Sequence, residues 1–372
     1  MPHTATLTDL LFHLIRMPTV TTDHATNRAA LDWVEEQLHD LPLEFKHYSH
    51  HSYPSLVATT PAVLDKKNPR LWLVGHMDVV PGENNQYDPE IVDGRLIGRG
   101  AADMKFAIAC FIRLLQELGS DLASYDIGLI LTSDEEQGGI NGAGWLVDAG
   151  YRGQAVLIPD GGLNWAMETG AKGLACWTLE ATGESVHAST NWKGVNALDR
   201  LIDFIRVFQT NAVAEPCGDP LHAHHTINLG ILNGGTVSNK VPDKASAEID
   251  IRLGAGQSID TTRAWIQAAA EVVPGIKASL NVSNDPYMIP QDGAVKLFRE
   301  IALELTDHAL PGLISNGASD ARFFAAHGIP AVLARPQGGN QHGPGEWVDV
   351  ADLELYYTVM HRFVRAWAGP KP

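Results

Sequence analysis

Acidic and histidine side chains stand beside short apolar runs at several places in this chain, and they are the residues that could carry chemistry. They are His76 and Asp78 after the run 71–74, Glu135 and Glu136 after 127–131, Asp160 after 155–158, His342 after 331–334, and Asp103 before a helical segment that begins at Lys105. Imidazole and carboxylate groups without thiolates suit zinc, cobalt or manganese at a hydrolytic site. Two metal ions about 3.5–4 Å apart need a shared carboxylate, and this set contains several.

Each of these residues alone also has a purely structural explanation. An H-x-D sequence often marks a turn or a strand end, and an adjacent Glu135–Glu136 pair is most often a solvated surface. Asp160 could be a turn residue before Gly161 and Gly162. That explanation weakens for the whole set, because the residues recur at equivalent positions beside separate segments.

The elements that must position these residues alternate between helical and strand patterns. Helical patterns cover 6–17, 29–38, 105–118, 295–305 and 353–367, and apolar strands cover 71–74, 127–131, 155–158 and 331–334. Continuous apolar strands between helices predict an α/β domain with a mixed, mostly parallel sheet and helices on both faces. Ligands bind beyond the carboxyl ends of such strands, which is where the acidic and histidine residues fall.

The middle of the chain has a different pattern. Strand and helix signals follow in the order β-α-β-β-α-β, and residues 245–251 alternate between apolar and polar side chains, as half-buried antiparallel strands do. We therefore predict a catalytic domain of residues 1–172 and 290–372. Residues 173–289 would form an inserted α+β domain of the ferredoxin-like, split βαβ type.

Charge and composition exclude several classes of protein. The 372 residues include 27 Lys and Arg against 44 Asp and Glu, a formal net charge of −17. This speaks against nucleic acid or an anionic membrane as the main partner, because phosphate binding needs basic patches. The three cysteines form no C-x-x-C pair, and no apolar run reaches the roughly 20 residues of a membrane span. Without the pattern of a signal peptide, we expect a cytoplasmic protein.

Motifs across nearly the whole chain resemble the peptidase M20 family of co-catalytic metallohydrolases, which includes desuccinylases, deacetylases, carboxypeptidases and di- and tripeptidases. They are G-H-M-D-V-V-P (75–81), G-R-G-A-A-D-M-K (98–105), T-S-D-E-E (132–136), G-E-S-V-H-A-S (183–189), G-G-T-V-S-N-K-V-P (234–242), E-I-D-I-R (248–252), G-A-S-D-A-R-F (317–323) and H-G-P-G-E-W-V (342–348).

The resemblance implies a role for each residue of the metal site. His76 and Asp160 would bind one divalent ion, Glu136 and His342 the other, and Asp103 would bridge both. Zn²⁺ is the expected metal, with Co²⁺ or Mn²⁺ as alternatives. Asp78 would orient the ring of His76, and Glu135 would be the general base that moves a proton from the bridging water to the leaving amine. The Asp103–Met104 peptide bond is expected to be cis.

The resemblance also assigns residues to substrate binding. His187 would stabilise the tetrahedral oxyanion across a dimer interface, and Asn239 and Arg252 would bind the substrate carboxylate. Weaker candidates for the pocket wall are Ser319, Arg322 and Asn340. Taken singly, His187 could be an exposed loop residue, Asn239 a turn residue and Arg252 a surface charge at a strand end.

The resemblance implies hydrolysis of an amide bond next to a free carboxylate in a small peptide or an N-acyl amino acid. The desuccinylase and deacetylase typically have Glu in a G-E-P context where this chain has Asp160 in I-P-D-G-G, and the R-R-G of the desuccinylase is Ala171-Lys172-Gly173 here. These departures favour an exopeptidase or amidohydrolase, with desuccinylase or acetylornithine deacetylase as the alternative. A non-catalytic relative would lack a ligand or the base, and none is missing. We expect a homodimer formed through the inserted domain, which would act as lid and dimerisation domain.

Overall fold

The computed structural model describes residues 6–212, 224–254, 256–307 and 309–370, with only the main chain at Leu163. The chain divides into two compact units. The first comprises Met1–Thr169, Ile289–Ser315 and Ser319–Pro372, and the second comprises Gly170–Met288 and Asn316–Ala318. The roles predicted for the two domains, catalysis for one and lid or dimerisation for the other, stay predictions.

Helices and strands are distributed along the whole described chain. The α-helices are α1 (Leu7–Arg16), α2 (His24–Leu38), α3 (Lys105–Leu118), α4 (Trp145–Asp148), α5 (Ala197–Asn211), α6 (Ile259–Val272), α7 (Ala294–Thr306), α8 (Ala321–Ala325) and α9 (Val350–Ala368). The strands are β1 (Glu44–His50), β2 (Tyr53–Thr59), β3 (Leu71–His76), β4 (Glu90–Val92), β5 (Arg95–Ile97), β6 (Ile127–Thr132), β7 (Val156–Leu157), β8 (Met167–Ala171), β9 (Gly173–Thr182), β10 (Thr226–Gly234), β11 (Lys244–Leu253), β12 (Ile276–Asn284), β13 (Tyr287–Met288), β14 (Gly312–Ser315), β15 (Ala331–Val332), β16 (Gly338–Gly339) and β17 (Trp347–Asp349).

The main sheet of the first unit has six strands in the order β1-β2-β6-β3-β7-β15. The pairs β6–β3, β3–β7 and β7–β15 are parallel, whereas β1–β2 and β2–β6 are antiparallel. Strands β3 and β6 are buried along their whole length, which accounts for their continuous apolar runs. The predicted mixed, mostly parallel sheet is therefore confirmed.

The register of the two central strands places the site residues at one edge. His76, the last residue of β3, pairs with Thr132, the last residue of β6. Because the strands are parallel, the chain leaves both of them in the same direction. The loops that carry Asp78 and Glu135 consequently begin side by side.

Helix ends in the first unit follow local capping. Helix α3 has the predicted limits and is nearly all buried, and Gly119, with φ of 51°, ends it. Helix α2 begins at His24, five residues before the predicted start, because the side chain of Asp23 accepts a hydrogen bond from the Thr26 amide at 3.0 Å. The apolar pattern marked only the buried part of this helix.

A second, small sheet in the first unit has the order β16-β17-β5-β4. Strands β17 and β5 are antiparallel, with Trp347 opposite Ile97. This pairing brings the segment after Ile97, which leads to Asp103, beside the segment before Trp347, which contains His342. Two distant parts of the sequence are thereby joined next to the site.

The second unit has the predicted order β9-α5-β10-β11-α6-β12. Its sheet runs β10-β11-β9-β12 with every pair antiparallel, which confirms the split βαβ arrangement. Alternate residues of β9 and β11 pack with α5 and α6 in one apolar core, and the other side chains of these strands are polar or partly exposed. Helix α5 begins after Asn196, whose side chain accepts from the amides of Leu198 and Asp199.

Within the part of the chain that the structure describes, none of the helices has the length and apolar character needed to cross a lipid bilayer.

Candidate active site

His76 is the centre of a buried group of acidic side chains. It is 1% exposed at the end of β3, and its Nδ1 lies 3.0 Å from the main-chain oxygen of Asp78. Its Nε2 points the other way, 3.1 Å from Oδ1 of Asp103 and 3.9 Å from Oδ1 of Asp160. A histidine whose Nδ1 is held by a carbonyl presents Nε2 for binding.

The two carboxylate oxygens of Asp103 contact different histidines. Oδ1 faces His76, whereas Oδ2 lies 2.8 Å from Nε2 of His342. The same His342 nitrogen is 3.1 Å from Oε2 of Glu136. Asp103 precedes the first turn of α3, and the expected cis bond between Asp103 and Met104 is present. This is the position that a bridging carboxylate would occupy.

The residues present fit the binding of a divalent metal ion. Donor atoms of His76, Asp103 and Glu136 lie within 4.8 Å of one another, and so do those of His76, Glu135 and Asp160. Each set combines an imidazole with two carboxylates, which is the ligand chemistry of zinc, cobalt and manganese. The two sets share His76, and Glu135 belongs to one of them.

The neighbouring carboxylates raise the pKa values of both histidines. Burial lowers the pKa of His76, but the carboxylates of Asp103, Asp160 and Asp78 outweigh it and raise the pKa well above 6.5. Hydrogen bonds to Asp103 and Glu136 raise the pKa of His342 to about 10.

The pKa values of the carboxyl groups are shifted in opposite directions. Burial raises the pKa of Asp103, but its hydrogen bonds to His342 and His76 outweigh this and hold the pKa well below 3.8. Burial and the charge of Asp103 raise the pKa of Asp160 to about 6, and burial with the charge of Asp160 raises that of Glu135 well above 4.5. A divalent cation would relieve this concentration of negative charge.

Asp78 lies beside the ring of His76, and the predicted role of orienting that ring stays a prediction. Its carboxylate Oδ1 is 3.5 Å from Nδ1 of His76, so the shorter contact with the ring is made by its main-chain oxygen. The carboxylate accepts hydrogen bonds from the amides of Glu135 and Glu136 at 3.3 and 3.2 Å, and from the hydroxyl of Thr21 at 2.8 Å. Asp78 thus ties the Glu135–Glu136 turn to the end of β3.

The weaker candidates of the first unit lie beside these loops. Arg322 donates to the main-chain oxygen of Gly138, two residues after Glu136, and Ser319 is buried at the start of α8. Asn340 has φ of 56° and donates from Nδ2 to the Gly345 oxygen at 3.2 Å. These contacts hold loops in place, and a role in binding substrate stays a prediction.

The other candidates lie in the second unit. His187 is exposed, and its Nδ1 is 2.8 Å from the hydroxyl of Ser189. Asn239 is exposed on a neighbouring segment, with its main-chain oxygen accepting from the Ala188 amide at 2.9 Å. Arg252, on β11, donates from Nε to Oδ1 of Asp250 at 2.9 Å. Their predicted contacts with substrate stay predictions.

Several residues that touch the site were not among the predicted ones. Gln341 donates from Nε2 to Oδ2 of Asp103 at 2.5 Å, and Arg335 donates to Oε1 of Gln341 at 2.7 Å. Arg99 and Glu346 form a buried ion pair beside Asp103. Both stand inside the motifs 98–105 and 342–348, so the motifs contained the signal, although residue type alone assigned them no role.

Comparison with known proteins identifies the family. The sequence profile described as peptidase family M20/M25/M40 matches residues 72–366. The chain is 31% identical to a succinyl-diaminopimelate desuccinylase of Rhodospirillum centenum over 96% of this chain and 97% of that protein.

Solved structures share the fold. A tripeptidase of Staphylococcus aureus is similar with a TM-score of 0.80 at 22% identity over 97% of both chains. An aminopeptidase of Bacillus cereus is similar with a TM-score of 0.79 at 22% identity, over 96% of this chain and 97% of that one. Together with the acidic and histidine cluster around Asp103, these matches show that the chain belongs to peptidase family M20/M25/M40 and is a metal-dependent hydrolase of amide bonds.

Proposed function

We propose that the chain hydrolyses an amide bond next to a free carboxylate, with two divalent ions held by His76, Asp103, Glu136, Asp160 and His342. The observation that carries this proposal is the position of Asp103, whose oxygens face His76 on one side and His342 on the other. When bound, the metal ions would lower the pKa of a water molecule from about 15.7 to roughly 7 and polarise the substrate carbonyl. Zinc is the proposed metal.

Glu135 is the proposed general base. Its amide is fixed by the carboxylate of Asp78, and its side chain lies with the donor atoms of His76 and Asp160. From there the Glu135 carboxylate can take a proton from water and return it to the leaving amine. The same position would also allow Glu135 to bind a cation, so variants must separate the two roles.

Two substrate classes remain, each favoured by a different observation. The Asp160 context I-P-D-G-G favours an exopeptidase or N-acyl-amino-acid amidohydrolase, which is the function that we propose. The curated relatives named as succinyl-diaminopimelate desuccinylases, at 31% and 30% identity, favour the second candidate, desuccinylation.

Substrate profiling separates these candidates. Zinc-loaded protein would be assayed with dipeptides, tripeptides, N-acetyl amino acids, N-acetylornithine and N-succinyl-diaminopimelate, each beside an analogue whose carboxylate is amidated. We expect the highest kcat/KM on a peptide or acyl amino acid and a large loss on the amidated analogue. Highest activity on N-succinyl-diaminopimelate would establish desuccinylation, and no activity on any of them would reject the proposal.

We also propose a homodimer formed through the second unit. Strand β10 is an edge of the four-stranded sheet, and it leaves Leu229, Ile231 and Leu232 between 36% and 45% exposed. An unpaired edge with apolar side chains favours pairing with another copy. His187 would then serve the partner's site. A cytoplasmic location stays a prediction.

A further inference from the structure

The pair formed by Arg99 and Glu346 lies behind the acidic and histidine cluster and makes no contact with His76, Glu136 or Asp160 among the hydrogen bonds described. We propose that Arg99 and Glu346 are positioning residues, which hold the segments carrying Asp103 and His342 in the geometry needed to bind metal. The inference rests on the proposed function, because it concerns the metal pair of that site. It goes beyond that function by assigning two residues that contact main chain and not metal.

Glu346 fixes the main chain at Asp103. It is 1% exposed, and its Oε1 accepts hydrogen bonds from the amides of Ala102 at 2.9 Å and Asp103 at 3.0 Å. One carboxylate oxygen therefore restrains two successive peptide units immediately before α3. Since the Asp103 side chain must present one oxygen to His76 and the other to His342, a rotation of this main chain would disturb both contacts.

Arg99 extends the restraint to His342. Its guanidinium, on a residue that is 2% exposed, donates from Nη1 to Oε2 of Glu346 at 2.8 Å and from Nη2 to the main-chain oxygen of His342 at 3.1 Å. The result is a continuous path from the amide of Asp103 to the carbonyl of His342. A planar guanidinium can make both bonds at once, which an ammonium cannot do with the same geometry.

The small sheet supports the same path with main-chain bonds. The amide of Gly98 donates to the oxygen of Glu346 at 2.8 Å, directly beside the pairing of Ile97 with Trp347. Arg99 and Glu346 therefore both lie next to paired residues of this sheet, which fix their main chain. Because their main chain is fixed, the two side chains can hold the main chain of the metal ligands Asp103 and His342 in place.

Stability alone is a poor explanation for this pair. Burying two charges costs desolvation free energy that their attraction often only offsets, so a buried ion pair is weak evidence for a contribution to stability. Besides the bond between the two side chains, the hydrogen bonds described for them join main-chain groups of the segments that carry Asp103 and His342. The structure gives the pair a geometric role, in the way that outer partners of metal ligands are known to tune affinity.

The test measures zinc affinity in Glu346→Gln and Arg99→Lys by competition with a chromophoric chelator. Measurements are made where circular dichroism shows every metal-free variant to be folded, so that a change in global stability does not enter. We expect Glu346→Gln to weaken at least one of the two zinc affinities by about 10- to 100-fold. Arg99→Lys keeps the charge but loses one bond of the fork, and we expect a smaller loss.

Glu117→Gln is the matched control. Glu117 also pairs with an arginine, accepting from Nε of Arg113 at 2.8 Å and from the hydroxyl of Tyr357 at 2.5 Å. Glu117 lies at the other end of α3 from Asp103. The zinc affinities of the Glu117→Gln variant should therefore equal those of the wild type. The double variant Arg99→Lys/Glu346→Gln should lose little more than Glu346→Gln, because both residues act through one path.

The outcomes separate this inference from the proposed function. Wild-type protein that binds no zinc would overturn both. Wild-type protein with two bound zinc ions, and Glu346→Gln with affinities within threefold of it, would overturn the positioning role alone. If Glu346→Gln does not fold, Arg99→Lys decides, and wild-type affinities in that variant would reject the inference.

Discussion

Loading the metal-free protein with zinc near neutral pH should release at least two protons per chain. Hydrogen bonds to Asp103 and Glu136 raise the pKa of His342 to about 10. The carboxylates around His76 outweigh its burial and raise its pKa well above 6.5. Both imidazoles are therefore protonated at about pH 7, whereas a metal ligand must be the neutral form.

The sign and size of the pH dependence follow from this count. Each ion that displaces one proton gains about tenfold in apparent affinity per pH unit, as long as the pH stays below the pKa of the displaced imidazole. The His342 side chain is 50% exposed, and solvent screens its interactions, so the prediction uses only its protonation state and no free energy.

Isothermal titration calorimetry in buffers of different ionisation enthalpy measures the number of protons directly. Plotting the observed enthalpy against the buffer enthalpy gives the proton release as a slope. His342→Gln should lower the release by about one proton, because it removes one imidazole. A release of one proton or fewer in the wild type, or zinc affinities that do not change between about pH 6 and 8, would refute the reasoning.

Further predictions concern the base, a buried carboxyl group and the dimer. Glu135→Ala should keep its zinc content while kcat falls by about a hundredfold or more, whereas Glu136→Ala should lose zinc from one site, as elemental analysis and steady-state kinetics can show. Burial and Asp134 raise the pKa of Asp320 from 3.8 to about 8, so the free energy of unfolding of metal-free protein should fall by up to about 1.4 kcal/mol per pH unit between these values. Asp320→Asn should reduce that slope in urea titrations, and an unchanged slope would contradict the assignment. Mixing inactive His187→Ala and Glu135→Ala chains should restore about a quarter of wild-type activity after subunit exchange, and a mixture that stays inactive would show that His187 does not act in trans.

Helices and strands that are buried along nearly their whole length could be predicted from the sequence. Helix α3 is buried from Lys105 through Ile112, and strands β3 and β6 are buried throughout, so their apolar runs gave nearly correct limits. The pair β1–β2 was not predicted. Strand β1 has only exposed and partly exposed residues, so it carries no apolar period, and its place in the sheet comes from its pairing with β2.

Helix starts show a similar limit. The apolar face of α2 begins several residues after its cap at Asp23, so periodicity alone starts the helix late. A capping side chain determines the first turn by one hydrogen bond to the main chain. Such single bonds leave little trace in a hydrophobic pattern, and the same is true of the contacts that organise the site.

The candidate metal ligands could be found from the sequence because imidazole and carboxylate groups at strand ends are conspicuous by type. Asp103 came from the motif and its position before α3. Glu346 stands in the same motif as His342, yet its proposed role depends on the main-chain amides that its oxygen binds. Those amides are brought to it by the pairing of β5 with β17, two strands that are far apart in the sequence. Residue type predicts what a side chain can bind, whereas a positioning role appears only when the fold brings a distant segment to it. A hydrolytic site of this kind is therefore best sought in sequence by its ligands, and its supporting residues by the hydrogen bonds that end on the main chain beside them.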